Sequence, residues 1–301
     1  MKNYGIPYMG SKTKIADSIL AKLPSGKRFV DLFGGGFAMS HVALLSSKYE
    51  QIYYGDFNSG ITHLVEDAYK GKYNYSRFQP EFITRERFYA EKDSDYYIRY
   101  IWSFGNKGDN YMFGRDVEPM KHIAHDFVVF GKYDSKLEQI AKGVSSAVTS
   151  KGIRKRRLEF CGYARQMKHR FDLQQLEQLE RLQQLERLQQ LERLQRLQQL
   201  ERLQFGHGCS YLDYEYHDGD VVYCDPPYVG TAEYIDKFDY EKFFNWASSQ
   251  KYDIYFSNYP LYDDRFELIF ATQLRSTLGA GNKAVQFECL YKNRLGDNNG
   301  N

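Results

Sequence analysis

The tetrapeptide Asp225-Pro226-Pro227-Tyr228 follows directly on the apolar run Asp220-Val221-Val222-Tyr223-Cys224, and it offers the most specific chemistry in the chain. Its carboxylate and the Pro226 carbonyl are two neighbouring acceptors, and paired prolines fix the backbone so that this carbonyl points inward. Such a pair suits an exocyclic amino group such as that of adenine, a poor nucleophile because its lone pair is delocalised into the ring. Accepting both amino hydrogens draws the nitrogen toward tetrahedral geometry and aims the lone pair at an electrophilic carbon. Tyr228 adds a face on which a base taken out of a duplex can stack.

Two further constellations point to a nucleoside ligand. In Asp31-Leu32-Phe33-Gly34-Gly35-Gly36 a strand ends in glycines ahead of a helix, which brings backbone and free helix amides close to a ligand. Asp56, at the end of the next strand, stands where an acid accepts both hydroxyls of a ribose. G-x-G-x-x-G is absent and no phosphate-binding lysine pattern is present. A nucleoside without phosphates, such as S-adenosylmethionine, therefore fits better than a dinucleotide or ATP.

The elements that must position these groups read as strand–turn–helix units. Helical spacing covers Ile15 to Leu23 and stops at Pro24-Ser25-Gly26; Arg28 to Phe33 reads as a buried strand and Ala38 to Ser46 as a helix. A strand at Ile52 to Asp56 and a helix at Ile61 to Tyr69 follow. The alternation resumes with the strand Asp220 to Cys224, a helix over Phe243 to Gln250 and a strand over Tyr252 to Ser257. Thr272 to Leu278 and Lys283 to Tyr291 read as antiparallel strands. The pattern predicts an α/β domain with a parallel sheet, formed by residues 1–72 and 205–301 and interrupted by an insert of residues 73–204.

Within the insert a leucine recurs at every third position from Leu173 to Leu203, with Gln, Glu and Arg between. These strong helix formers predict a helix about 45–50 Å long. A step of three residues turns the leucine stripe back by about 60°, so a regular coiled coil is disfavoured and leucine comes to several faces. The tract reads as a packed helix, a spacer or an oligomer contact, and it holds no group that could catalyse. Lys151-Gly152-Ile153-Arg154-Lys155-Arg156-Arg157 packs five cations into seven residues, a candidate for phosphate contact that can equally be a solvated basic loop.

The whole-chain balance narrows the classes. A net charge of +2 excludes a globally basic protein, so contact with nucleic acid must be local. Cys161, Cys209, Cys224 and Cys289 form no C-x-x-C pair, which points to reduced thiols rather than a zinc site or disulfide frame. His122, His125, His169 and His207 show no metal-ligand spacing. With no signal core and no run of about 18 apolar residues, the expected compartment is the cytoplasm, without a membrane span.

Taken in order, these motifs resemble the Dam-like (D12 class) DNA N6-adenine methyltransferases in the α-group arrangement. Tyr8-Met9-Gly10-Ser11-Lys12 resembles the family's opening Tyr/Trp-x-Gly-x-Lys segment, Asp31 to Gly36 its Asp-x-Phe-x-Gly-Gly, Asp56 its ribose-binding acid, and Ser257-Asn258 its Ser-Asn after the next strand. The resemblance covers about residues 4–72 and 205–292. It implies a Rossmann-like methyltransferase sheet, S-adenosylmethionine as methyl donor and double-stranded DNA as substrate, with an inserted, mainly helical recognition region. It also implies donor contacts from Tyr8, Gly10, Lys12, Asp31, Phe33, Gly34, Gly35, Gly36, Asp56, Phe57 and Asp225. Tyr211, about fourteen residues before Asp225, takes the place of an aromatic that packs on the donor's adenine. The segments Trp102 to Lys107 and Tyr111 to Arg115 resemble part of the family's insert, which makes Asn106, Lys107 and Arg115 candidates for DNA contact beside Lys151, Arg154, Lys155, Arg156 and Arg157. Position 37 departs from the family, with Phe where many relatives have a second spaced Gly. A cognate restriction enzyme is a partner that such enzymes can have. Cytosine N4 methylation, RNA as substrate, and a non-catalytic assembly protein working through its leucines are the competing readings. Asp225 disfavours the first of these, because that class more often carries Ser there.

Overall fold

A computed structural model describes residues 4–74, 78–149, 152–167, 182–228, 238–275 and 285–295. The chain divides into two compact units, one of residues 1–6, 10–66 and 199–301, the other of residues 7–9 and 67–198.

The first unit is built on seven strands: β1 (Gly26–Asp31), β2 (Tyr49–Asp56), β3 (Leu203–His207), β4 (Asp220–Cys224), β5 (Ile254–Asn258), β6 (Phe266–Arg275) and β7 (Val285–Asn293). They lie in the order β3-β2-β1-β4-β5-β7-β6. The first five are mutually parallel, while β7 runs antiparallel to both β5 and β6. The central strands are buried on both faces, and β4 shows it residue by residue, with Val221, Val222, Tyr223 and Cys224 all inside. Helix α1 (Ala16–Lys22) precedes β1, α2 (Ala38–Leu45) joins β1 to β2, and α3 (Ser59–Tyr69) follows β2. One face of the sheet packs Val30, Val222 and Phe256 against Phe243, Phe244 and Ala247, which come from a helix over Tyr240–Ser249.

Strand order reverses between β1 and β4, so the loops after these strands leave in opposite directions and open a crevice at the carboxyl edge. Register places the acids along this edge. Asp31 lies opposite Tyr54 and Tyr223, two residues before Asp56 and Asp225. Because β7 is antiparallel, its first half reaches the same edge, where Cys289 pairs with Asn258.

The second unit is helical: α4 (Arg85–Glu91), α5 (Tyr96–Ile101), α6 (Glu118–Phe130), α7 (Ile153–Met167) and α8 (Gln183–Leu194), which makes the Tyr240–Ser249 helix α9. Thr84 and Asp95 cap α4 and α5 with side-chain oxygens, and Gly131 ends α6 in the left-handed conformation. Its core holds Phe82, Trp102, Phe127 and Phe160. Leu182, Leu185, Leu188, Leu191, Leu194 and Leu197 are all buried. These six leucines are covered within the chain itself.

The single helix expected through Leu203 is corrected at its end. α8 stops at Leu194, a tighter turn covers Gln195–Leu200, and Leu203 belongs to β3. The sheet edge overrides helix propensity here. Arg202 donates through its guanidinium to the Tyr49 carbonyl at 2.7 Å and to that of Leu44, and its own carbonyl accepts from Ile52 N at 2.8 Å, so the chain is drawn into the ladder beside β2. The earlier part of the tract, 173–181, lies outside the described residues.

Candidate active site

The turn after β1 is fixed from both sides. Gly34 N donates to the Gly55 carbonyl at 2.9 Å, and a Cβ on Gly34 would stand 2.3 Å from the Tyr54 ring. Gly5 is left-handed, with room for a Cβ only 2.1 Å from the Gly36 oxygen, so the N-terminal segment lies directly on the turn. Gly5 N also donates to His41 Nδ1 at 2.9 Å. Phe37 caps α2 with φ 69°, a strained value for a residue with a side chain. The family resemblance leads one to expect glycine at this position, and the backbone holds a glycine-like conformation. Burial of the ring against Tyr54, with centroids 5.0 Å apart, offsets that strain.

Three carboxylates share the carboxyl edge. Asp56 accepts from Gly35 N and from Asn58 N, both at 2.8 Å; burial still pushes its carboxyl up to about 6, against these donors. Asp31 is buried, accepts from Ser40 Oγ at 2.7 Å and has no partner for Oδ1. Burial, reinforced by the charges of Asp225 and Asp56, pushes it up to about 8. Asp225 is the best compensated: Lys12 Nζ lies 2.7 Å from Oδ2, and the Tyr228 hydroxyl donates to Oδ1 at 3.1 Å. Burial raises its carboxyl and Lys12 opposes that rise. Burial alone would lower the Lys12 ammonium, but Asp225 and Glu288 together hold it above its ordinary value.

Aromatic rings flank these acids. Phe33 stacks on Tyr211 with centroids 5.4 Å apart and meets Phe243 edge-on. Tyr228 meets Tyr259 edge-on at 4.8 Å, and Lys12 Nζ sits 4.7 Å from the centre of the Tyr228 ring. Lys12, Asp31, Phe33, the glycine turn, Asp56, Tyr211 and Asp225 thus all belong to the first unit. Gly10 does so too, its carbonyl accepting from Lys12 Nζ at 3.1 Å. Phe57 is largely exposed beside Asp56. Tyr8 groups with the second unit and packs edge-on against Tyr100. Among the described residues no group of three His, Cys, Asp or Glu side chains is arranged to hold a metal ion.

The acids at a strand-order reversal, the glycine turn and the lysine-held Asp-Pro-Pro-Tyr agree with a comparison at the family level. The model of the D12 class N6 adenine-specific DNA methyltransferases matches residues 8–260. The chain belongs to this family. No individual curated protein matches it.

For an adenine-specific DNA methyltransferase the cationic run is less available than its composition suggests. Arg156 donates to the Val128 and Val129 carbonyls at 2.8 and 2.6 Å, satisfying the end of α6. Arg157 bonds Gln189 and Glu186 of α8, and Arg154 pairs with Glu192 at 2.7 Å. Lys155 is exposed, 4.0 Å from Glu159; Lys151 lies outside the described residues. Lys107 and Arg115 are exposed, whereas Asn106 is partly covered with a left-handed φ of 60°. No helix among the described residues is long and apolar enough to cross a membrane.

Sequence reading missed Glu288. The acid stands in Val285-Gln286-Phe287-Glu288-Cys289-Leu290, and an acid between Phe287 and Cys289 in a strand-forming run was the available signal. Its side chain is buried, with Oε1 3.4 Å from Lys12 Nζ and in a short contact with the Tyr228 hydroxyl.

His41 gives this site an acid sensitivity. Burial lowers it from 6.5 to about 4, and Nδ1 must stay unprotonated to accept from Gly5. A base whose folded pKa is depressed contributes fully above the unfolded value, and the contribution is lost as pH falls from 6.5 toward 4. Melting temperature is expected to drop through this window. His41→Gln, which keeps an acceptor, should flatten the drop; equal slopes in differential scanning calorimetry would refute the assignment.

Proposed function

We propose that the site transfers a methyl group from S-adenosylmethionine to the N6 amino group of an adenine taken out of double-stranded DNA. S-adenosylmethionine, when bound, supplies a sulfonium-activated methyl that the amino nitrogen takes by direct in-line displacement. The convergence of Asp31, Asp56 and Asp225 on one sheet edge, with Asp225 clamped by Lys12 and Tyr228, carries this reading.

The residues present suit that donor. The unpartnered, buried Asp31 Oδ1 calls for a hydrogen-bond donor or cation from a ligand. Each Asp56 oxygen is oriented by one backbone N–H and keeps a lone pair for a ribose hydroxyl. Gly34, Gly35 and Gly36 admit the ligand close to backbone, and Phe33 with Tyr211 offers ring faces for its adenine.

On the substrate side, Asp225 accepts one amino hydrogen and the Pro226 carbonyl the other. Lys12 and the Tyr228 hydroxyl keep the Asp225 carboxylate from rotating, so the acceptors are preorganised before the base arrives. The second unit serves as target-recognition region, with Lys107, Arg115 and Lys155 among its exposed cations and Asn106 as a base-edge candidate.

The test is incubation with methyl-labelled S-adenosylmethionine and duplex DNA, followed by digestion to nucleosides. Label in N6-methyladenine is expected. Label in N4-methylcytosine, or none in any adenine-containing duplex, refutes the proposal. Single-molecule sequencing of the product reports the sequence context.

A further inference from the structure

Glu288 is a buried carboxylate at the reaction centre that the mechanism above leaves unused, and it lies beyond the residues the family model matches. β7 delivers it to the carboxyl edge of β5, since the neighbouring Cys289 pairs with Asn258. The Tyr228 hydroxyl stands between two carboxylates, 3.1 Å from Asp225 Oδ1 and in short contact with Glu288 Oε1. Lys12 Nζ bridges the same pair from the other side, at 2.7 and 3.4 Å. The four groups form a closed ring with one ammonium, one hydroxyl and two acids.

Methyl transfer leaves the amino nitrogen with one proton too many. Asp225, the acceptor nearest that nitrogen, is the first place for it to go, but a protonated Asp225 can no longer accept from the next adenine. We propose that Glu288 is the terminal proton acceptor of a relay that runs from Asp225 through the Tyr228 hydroxyl, a positioning and proton-storing residue that restores Asp225 after each transfer. The relay rests on the reading of Asp225 as acceptor of the amino group.

Within one turnover the proton count closes; before the next, Glu288 gives its proton to water once the product has left, and the single Tyr228 hydrogen turns back from Asp225 to Glu288. The N6–H bond breaks and an Asp225 O–H bond forms. That O–H then breaks as the proton passes to the Tyr228 oxygen, whose own proton moves to Glu288 Oε1. Lys12 stays charged and balances whichever carboxylate is ionised. Glu288 faces Lys12, Asp225 and Tyr228, with Tyr223 and Cys289 as its other titratable neighbours. Burial raises its carboxyl, Lys12 opposes that, and the charge on Asp225 raises it further.

The experiment is steady-state, multiple-turnover methyl transfer to duplex DNA by the wild type, Glu288→Gln, Tyr228→Phe and the double variant, across about pH 5 to 9. Glu288→Gln keeps the shape and the contact to Tyr228 but cannot take the proton. Each single variant is expected to be slower by roughly 10²-fold, with donor affinity within about twofold. The double variant should be no slower than the slower single, because both cut one chain. The acid limb of the rate profile, carried by two carboxylates in the wild type, should lose one proton's dependence in Glu288→Gln. Glu288→Asp should recover part of the rate. A wild-type rate in Glu288→Gln, multiplicative losses in the double variant, or an unchanged acid limb would each overturn the relay. Should Glu288→Gln fail to fold, Tyr228→Phe carries the test alone, since it keeps the ring and cuts the path; an unaltered profile there overturns it equally. An Asp225→Ala enzyme as fast as the wild type would fell the underlying reading and the relay with it, whereas a dead Asp225→Ala beside an unimpaired Glu288→Gln fells the relay only.

Discussion

Replacing Asp225 with alanine is expected to slow methyl transfer by about 10³-fold while the protein remains folded. The loss follows from the role proposed for the carboxylate: as one of two acceptors that make a delocalised amino group nucleophilic, its removal leaves Pro226 alone, which cannot hold both hydrogens. Removing one preorganised electrostatic partner typically costs 10²- to 10³-fold, and loss of the proposed first proton acceptor adds to it. The fold should survive because the substitution does not strand a buried charge. Lys12 keeps Glu288 at 3.4 Å and the Gly10 carbonyl at 3.1 Å, and the Tyr228 hydroxyl keeps Glu288 as acceptor. Without the neighbouring negative charge Glu288 also ionises more readily, since Asp225 is one of the influences that raise it. Rapid-quench measurement of labelled methyl transfer, with DNA affinity measured separately, separates the two roles. A loss below tenfold, or a loss carried entirely by weaker DNA binding, would show that Asp225 does not act on the amino group.

What the sequence revealed of this site was local. A strand that runs into glycines, an acid at the end of the next strand and an acid–proline–proline–aromatic turn each declare themselves within a few residues, because backbone stiffness and strand periodicity are short-range properties. The parallel order of β1, β2 and β4 followed from the same alternation. Glu288 was hidden because its significance depends on β7 lying antiparallel beside β5, which no local pattern encodes. β3 was hidden for the opposite reason: Leu203 continues a strong helical repeat, and only the free edge of β2 and the carbonyls that hold Arg202 turn that stretch into a strand. The cationic run was legible only in part. Charge is legible from composition, but a cation's partner is not, and Arg156 and Arg157 find theirs on α6 and α8.

The leucine repeat shows the same limit within one helix, and its consequence is a large difference between two arginines that the sequence makes equivalent. Arg187 and Arg193 occupy the same place in successive Leu-Glu-Arg units, six residues apart. Six residues advance an α-helix by about 600°, so the two side chains leave α8 about 120° apart. Arg193 is exposed. Arg187 is buried and donates to the carbonyls of Ser103 and Ile101 at 2.8 Å and of Tyr100 at 3.3 Å, closing the carboxyl end of α5. Burial lowers its guanidinium to about 10, with Glu186 opposing, so it remains charged at neutral pH. Arg187→Ala leaves these buried carbonyls without their cationic donor and should destabilise the second unit by about 3–5 kcal/mol. Arg193→Ala should stay within about 0.5 kcal/mol of the wild type. Arg187→Lys should recover less than half of the loss, since all three carbonyls are reached from the terminal Nη1, which lies one bond further from the backbone than a lysine ammonium. Urea unfolding in a Trp246→Phe background, where Trp102 is the remaining tryptophan and reports the second unit, measures all three. If Arg187→Ala and Arg193→Ala unfold within 1 kcal/mol of each other, on the order of the error of such a comparison, then the guanidinium does not hold the end of α5.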